Sequence, residues 1–181
     1  MINVHNATLL FVDDEPAILE VLSRTFQSEV SNILTSDNPI QALEMIKKNH
    51  IDLVVLDLRM PGMDGITLYK EMKQFSPDLV AIFLTAHGDK ESVQDALRLG
   101  AVNFVDKPYE KNYLKLVVRS ALEKNRYEIL IKEILELFVQ SFTEADFTRF
   151  KLMGIDEKEK IVRAALGVAK IKIGRKKNSM E

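Results

Sequence analysis

The residues of this chain that could do chemistry are Asp13, Asp14, Asp57, Thr85 and Lys107, and each follows or ends a short apolar run. The runs are Thr8–Val12, Leu53–Leu56, Val80–Leu84 and Val102–Val105. Continuous apolar runs of strand length indicate strands buried on both faces, as in a parallel sheet. In open α/β sheets the ligand crevice lies at the carboxyl ends of such strands. Each polar residue has a plainer reading as well. Asp13-Asp14-Glu15 can cap a helix opened by Pro16, Thr85 can be a simple strand-end residue, and Lys107-Pro108 can be a surface turn. Their coincidence at one sheet edge is what points to a site. Three carboxylates in one crevice repel, so they take up protons or bind a cation. With no His or Cys beside them, a hard oxygen-seeking ion such as Mg²⁺ fits. Lys107 opposite adds a point charge suited to a phosphoryl group, and Thr85 adds a hydroxyl.

The elements that must position these residues alternate along the chain. Pro16 after acidic residues is a helix start, and Ile18, Leu19, Leu22 and Phe26 give that helix one apolar face. Val30–Leu34 reads as a weak second strand. Pro39 opens a helix with Ala42, Leu43 and Ile46 inward. Leu53–Leu56 is the central strand, stopped by Asp57 and the Pro61-Gly62 turn. Ile66, Leu68, Tyr69 and Met72 mark the next helix. Val93, Ala96, Leu97 and Leu99 mark another, stopped by Gly100. Five strands alternating with helices predict right-handed crossovers and a doubly wound parallel sheet. With strand order 2-1-3-4-5, the switch point between the first and third strands brings Asp13, Asp14 and Asp57 together.

With these residues in place, the chain from about Thr8 to about Leu122 resembles the receiver domain of two-component response regulators, a flavodoxin-like fold. Phe11-Val12-Asp13-Asp14-Glu15, Leu56-Asp57-Leu58-Arg59-Met60-Pro61-Gly62-Met63-Asp64-Gly65, Leu84-Thr85-Ala86-His87 and Val105-Asp106-Lys107-Pro108 stand in that family's order and spacing. The resemblance implies that Asp57 is the phosphoacceptor. It implies that Asp14, Asp57 and the backbone carbonyl of Arg59 ligate Mg²⁺, with Asp13 reaching the ion through water. Thr85 would bond the phosphoryl oxygen, Lys107 would pair with it, and the Lys107-Pro108 peptide would be cis. Phe104 stands at the family's switch aromatic, where some members have tyrosine; a plain core residue is the competing reading. His87 falls where the family varies and tunes phosphoryl lifetime, with a solvated loop histidine as the alternative. The implied partner is a sensor histidine kinase or a phosphotransfer protein. Asp57 would attack its phosphohistidine, and the acyl phosphate would bias a two-state element around Thr85 and Phe104. The chain would be a phosphoacceptor and not an enzyme in its own right.

After Tyr109 the character changes. Met1–Tyr109 carries nine Lys and Arg against sixteen Asp and Glu, a balance of −7, and Glu110–Glu181 carries sixteen against eleven, or +5, which together make the formal −2. No Gly or Pro occurs between Tyr109 and Met153. A long helix is predicted from about Tyr109 to Val139, with Leu116, Val117 and Leu122 packing on the receiver. Tyr127, Leu130, Ile134 and Leu137 form one further apolar stripe, and Ile131, Leu135, Phe138 and Phe142 a second. This is wider than a two-stranded seam, so burial in a homodimer or against following helices is expected. Thr143-Glu144-Ala145-Asp146 and Asp156-Glu157-Lys158-Glu159 are helix starts with a cap and an acid three on, separated by Gly154. The Leu166-Gly167-Val168 turn before Arg175, Lys176 and Lys177 vaguely resembles a helix-turn-helix DNA reader. Arg163 stands where such motifs have a small buried residue, and a solvated basic tail is the alternative.

The expected layout is a receiver over residues 1–122, a linker and dimerisation helix over 123–142, and a small helical output segment over 143–181. Without cysteine there are no disulfides or thiolate metal sites. The N-terminus lacks the features of a signal peptide, and no apolar run approaches the roughly 20 residues that cross a membrane. A soluble cytoplasmic protein is expected. Three outputs are open: phosphorylation-gated dimerisation or partner binding, DNA binding, and a phosphorelay intermediate with no output of its own.

Overall fold

The computed structural model describes residues 6–86, 103–142, 147–154 and 156–164. The helix expected around Val93–Leu99, together with His87, Thr143–Asp146 and the basic run Arg175-Lys176-Lys177, lies outside the described residues.

Five parallel strands form one sheet in the order β2-β1-β3-β4-β5. They are β1 (Thr8–Val12), β2 (Asn32–Ser36), β3 (Leu53–Asp57), β4 (Val80–Ala86) and β5 (Asn103–Lys107). Helices α1 (Pro16–Phe26), α2 (Pro39–Lys48), α3 (Gly65–Phe75), α4 (Lys111–Phe142) and α5 (Phe147–Leu152) follow in chain order. Alternate strand residues point to opposite faces, and here both faces are apolar. On one side Leu9, Phe11, Val55 and Ile82 meet Leu19, Leu22 and Phe26 of α1 and Leu114, Val118 and Ala121 of α4. On the other, Leu10, Val54, Leu56 and Phe83 meet Ala42 and Ile46 of α2 and Leu68, Tyr69 and Met72 of α3. A sheet covered on both faces cannot use an alternating polar pattern, which is why its three central strands β1, β3 and β4 read as nearly unbroken apolar runs.

Prolines open α1 and α2 because the first helical N–H needs no partner in the helix. The Asn38 side chain caps α2 at Ile40 and Gln41, and Asp64 caps α3 at Thr67. The second strand lies two residues beyond the predicted Val30–Leu34. Pairing with β1 sets its register, Thr8 against Asn32, and its own weak pattern could not. The fifth strand, Asn103–Lys107, runs two residues past its predicted end at Val105.

Contacts divide the chain into two compact units, Met1–Asn125 and Arg126–Glu181. In the first, Val117 and Leu122 are buried as expected, but Leu116 is 61% exposed. The buried phase of α4 runs through Leu114, Val117, Val118 and Ala121, which turns Leu116 outward. In the second, Phe150 is buried with Leu135, Met153, Ile161 and Val162 packed against it. Residues 156–164 are helical. Leu152, at the end of α5, stands 86% exposed. No helix among the described residues is long and apolar enough to cross a membrane.

Candidate functional site

The polar residues singled out in the sequence meet at the carboxyl edge of the sheet. Asp13 follows β1, Asp57 ends β3, Thr85 is the penultimate residue of β4 and Lys107 ends β5. β1 and β3 are neighbours whose chains leave in opposite directions, to β2 and β4, so Asp13 and Asp57 border the switch point. Lys107 Nζ donates to Asp57 Oδ1 at 2.6 Å and to Asp13 Oδ2 at 2.8 Å. The remaining carboxylate oxygens are also held. The Arg59 N–H donates to Asp57 Oδ2 at 2.9 Å, and the Glu15 N–H donates to Asp13 Oδ1 at 3.0 Å. Asp13, Asp57 and Thr85 are buried. The Thr85 hydroxyl donates to the Ala86 carbonyl at 3.0 Å.

Asp14 behaves differently from its neighbour: it is exposed. The turn that directs the Glu15 N–H onto Asp13 sends the next side chain outward. Two buried carboxylates around one ammonium leave a net charge of −1, with Asp14 beside it. Burial is the largest influence on Lys107 and lowers its pKa; the hydrogen bonds and charges of Asp13 and Asp57 together outweigh it, so the ammonium titrates above its ordinary range. The donor chemistry is oxygen only. Among the described residues no three His, Cys, Asp or Glu side chains stand together as a metal site. A Mg²⁺ ion that keeps most of its water needs one or two carboxylates and the oxygens of its phosphoryl partner, and the oxygen-only pair Asp13 and Asp57 suits it, while Asp14, which the resemblance makes a direct ligand, is exposed.

Two positions that sequence reasoning did not single out shape the site. A Cβ on Gly65 would lie 2.3 Å from the Asp57 carbonyl oxygen and 3.3 Å from Leu58 Cα. Only glycine lets α3 begin this close to the strand end that carries Asp57. Its N–H bonds the Leu58 carbonyl at 3.1 Å, while Leu58 N–H bonds Leu84 O at 2.9 Å, tying α3, β3 and β4 together under the carboxylate. Gly62, at φ +81°, makes the turn between them. Tyr109, half-buried after the cis Lys107-Pro108 peptide, is the second. Burial pushes its phenol up; the Lys107 charge pulls the other way, and Asp13 and Asp57 add to the rise. Its place directly after the Lys-Pro pair was the only sequence signal. Phe104 is half-buried and stacks on Phe83 with centroids 5.3 Å apart, and Phe83 meets Tyr69 edge-on at 5.8 Å.

Comparison with known proteins agrees with this geometry. Residues 9–119 match the family model of the response regulator receiver domain. The chain is 35% identical over 119 residues to the transcriptional regulatory protein GlrR of Escherichia coli K12, covering 66% of this chain and 27% of that protein. It is 34% identical over 117 residues to sporulation initiation phosphotransferase F of Bacillus subtilis 168, covering 65% of this chain and 94% of that one. The chain thus spans about a quarter of the length of the first of these relatives. A response regulator receiver domain protein from Clostridium thermocellum superposes with a TM-score of 0.62 at 29% identity, over 68% of this chain and 98% of that structure.

Proposed function

The chain belongs to the response regulator receiver family, and on that premise we propose that it accepts a phosphoryl group on Asp57 and passes the change to its C-terminal helices. The observation that carries the reading is the Lys107 ammonium shared between Asp13 and Asp57 at the switch point of the sheet. The donor is a phosphohistidine on a sensor kinase or a phosphotransfer protein. One Asp57 oxygen attacks phosphorus, the P–N bond to the donor breaks, and the departing imidazole takes a proton. The carboxylate is already oriented for this by Lys107 on one oxygen and the Arg59 N–H on the other. Lys107 sits where negative charge builds on the transferring group, and the Thr85 hydroxyl, at the next strand end, takes a phosphoryl oxygen. A bound Mg²⁺ would supply further neutralisation of the equatorial oxygens. Hydrolysis of the acyl phosphate resets the domain, so the chain is a self-resetting acceptor rather than an enzyme with a separate substrate.

The output rests on the open stripe of α4, which we assign to homodimerisation. Tyr127, Leu130, Ile134 and Leu137 are all exposed. Side chains of this size are each worth about 1.5–3 kcal/mol when buried, so a partner that covers them gains strongly. DNA binding through Arg175, Lys176 and Lys177 is the second reading. The family match ends at residue 119, short of that run, so the likeness to transcriptional regulators does not extend to it.

Incubation with a small acyl-phosphate donor and Mg²⁺, followed by location of the label by mass, tests the reading. Label on Asp57 alone is expected. Label elsewhere, or full labelling of Asp57→Asn or under chelation, overturns it.

A further inference from the structure

Helices α1 and α4 cover the same face of the sheet, and a cleft of about 350 Å³ lies between them. Val21, Arg24 and Ser28 line it from α1 and the turn that follows, and Lys111, Asn112 and Lys115 line it from the first turns of α4. None of these residues belongs to the acceptor crevice. Arg24 pairs with Glu20 on its own helix, and Lys115 pairs with Glu29 at 3.0 Å across the two elements. Lys111 makes no ion pair among the described residues. Three cations against two carboxylates leave the cleft at +1. The stretch around it, Met1–Leu122, carries twelve Lys and Arg against seventeen Asp and Glu, a balance of −5. The Thr25 hydroxyl is engaged by the Val21 carbonyl at 2.7 Å, whereas the Ser28 hydroxyl and the Asn112 amide make no hydrogen bond among the described residues. A positive cleft rich in uncommitted donors inside an acidic unit is a place for an anion. We infer that it binds a small organic phosphate ester.

Charge, donor count and size select that class. A carboxylate ligand would compete with Glu20 and Glu29 at equal charge. A phosphate monoester carries about −1.5 to −2 at pH 7 and three strong acceptor oxygens. Lysine and arginine are donors only, and the Arg24 guanidinium keeps N–H groups spare after its bond to Glu20. The ester can therefore accept from Arg24, Lys111 and Ser28 together, in bonds of the charge-assisted kind. Ligand clefts begin at about 300 Å³, and orthophosphate alone would leave most of this one empty. The remaining room suits an organic body, with Val21, 44% exposed, as its apolar wall. The rim sets the upper limit. Glu20, Glu29 and the exposed Glu110 surround the cations, so an extended polyanion would meet repulsion as soon as it left the cleft. A ligand held from both sides ties α1 to the root of the helix that leaves the receiver.

The test is a titration of the full chain, labelled with nitrogen-15, with inorganic phosphate, ribose 5-phosphate and adenosine monophosphate. It is run without Mg²⁺ and with Asp57→Asn, so that the acceptor carboxylate takes no part. Both esters should shift the amide signals of Ser28, Asn112 and Lys115 saturably, with a Kd of about 1 mM or tighter, and inorganic phosphate should bind more weakly. Arg24→Gln combined with Lys111→Gln should weaken the esters by at least about tenfold, the worth of one charge-assisted hydrogen bond, at an unchanged urea midpoint. Both side chains are exposed; should the pair of changes lower the midpoint, Lys111→Gln alone, which breaks no ion pair among the described residues, must still weaken binding. Shifts confined to Asp13 and Lys107 would put the ester in the acceptor crevice and overturn the proposal. Inorganic phosphate binding as tightly as the esters would reduce the cleft to a bare anion site and overturn the organic part. Unchanged affinity in the variants, or no saturable shift with either ester, overturns it outright, and in the latter case saturation by an oligoglutamate peptide would assign the cleft to an acidic protein instead.

Discussion

Replacing Gly65 by alanine tests whether the start of α3 holds the acceptor carboxylate in place. The added Cβ would stand 2.3 Å from the Asp57 carbonyl oxygen, 3.2 Å from its carbonyl carbon and 3.3 Å from Leu58 Cα. Comfortable separations begin near 3.4 Å, so the nearest contact must open by about 1 Å. All three partners are main chain, and no side-chain rotation relieves them. Either α3 backs away, stretching the Gly65 N–H bond to Leu58 O, or the end of β3 shifts against β4. Overpacking of this kind costs about 1–3 kcal/mol, and the better helix propensity of alanine returns a little under 1 kcal/mol. A net loss of about 1–2 kcal/mol follows, read as a lower urea midpoint at unchanged slope. Displacing Asp57 by a sizeable fraction of 1 Å should slow labelling by acyl phosphate by up to about 100-fold. Gly62→Ala is the control. Its φ of +81° makes alanine strained, yet nothing lies within 4 Å of the added Cβ. It should lose about 1–2 kcal/mol while labelling at nearly the wild-type rate. If Gly65→Ala stays within 0.5 kcal/mol and twofold of wild type, roughly the scatter of neutral surface changes, the close approach does not position Asp57 and the reasoning fails.

Lys107→Ala should slow phosphoryl uptake by at most about 100-fold, since one of several donors is lost, yet abolish the change in oligomeric state at full occupancy; equal loss of both, measured by labelling and sedimentation, would contradict this. Alkaline unfolding should expose Tyr69, whose phenol burial pushes up to about 12. The unfolded phenol ionises near 10 and the folded one does not, so stability falls by about 2 kcal/mol between pH 10 and 12. Lys107 acts in the same direction: its contribution is complete below the ordinary lysine range and is lost as pH rises through its raised folded pKa. Tyr69→Phe gives up the hydrogen bond to Leu79 O and about 1 kcal/mol at neutral pH, but should decline less steeply above pH 10; parallel curves would refute the assignment. Leu130→Asp with Ile134→Asp should give a monomer in sedimentation with Asp57 still labelled, and a persisting dimer would place the contact elsewhere. Should the chain bind duplex DNA, affinity must fall steeply with salt and depend on Arg175, Lys176 and Lys177.

The amino-acid sequence determined the sheet and the place of the site. Strands that must be covered on both faces leave an unmistakable run of apolar residues, and polar residues interrupt such runs only where the strands end. The helix starts at Pro16 and Pro39 were equally legible, because a proline acts within one turn of its own position. What the tertiary structure decided depends on contacts that no local pattern encodes. Asp13 and Asp14 are chemically identical neighbours, and only the turn onto the Glu15 N–H makes one a buried partner of Lys107 and leaves the other in solvent. Leu114 and Leu116 are both apolar in a helix; the phase set by docking on the sheet buries the first and exposes the second. The need for glycine at position 65 comes from a backbone eight residues earlier in the chain. The two stripes of α4 look alike in sequence, and only Phe150, returning on a later helix, distinguishes Leu135 from Ile134. Periodicity records how much of an element must be covered, whereas which side is covered is set by the elements that come to rest against it.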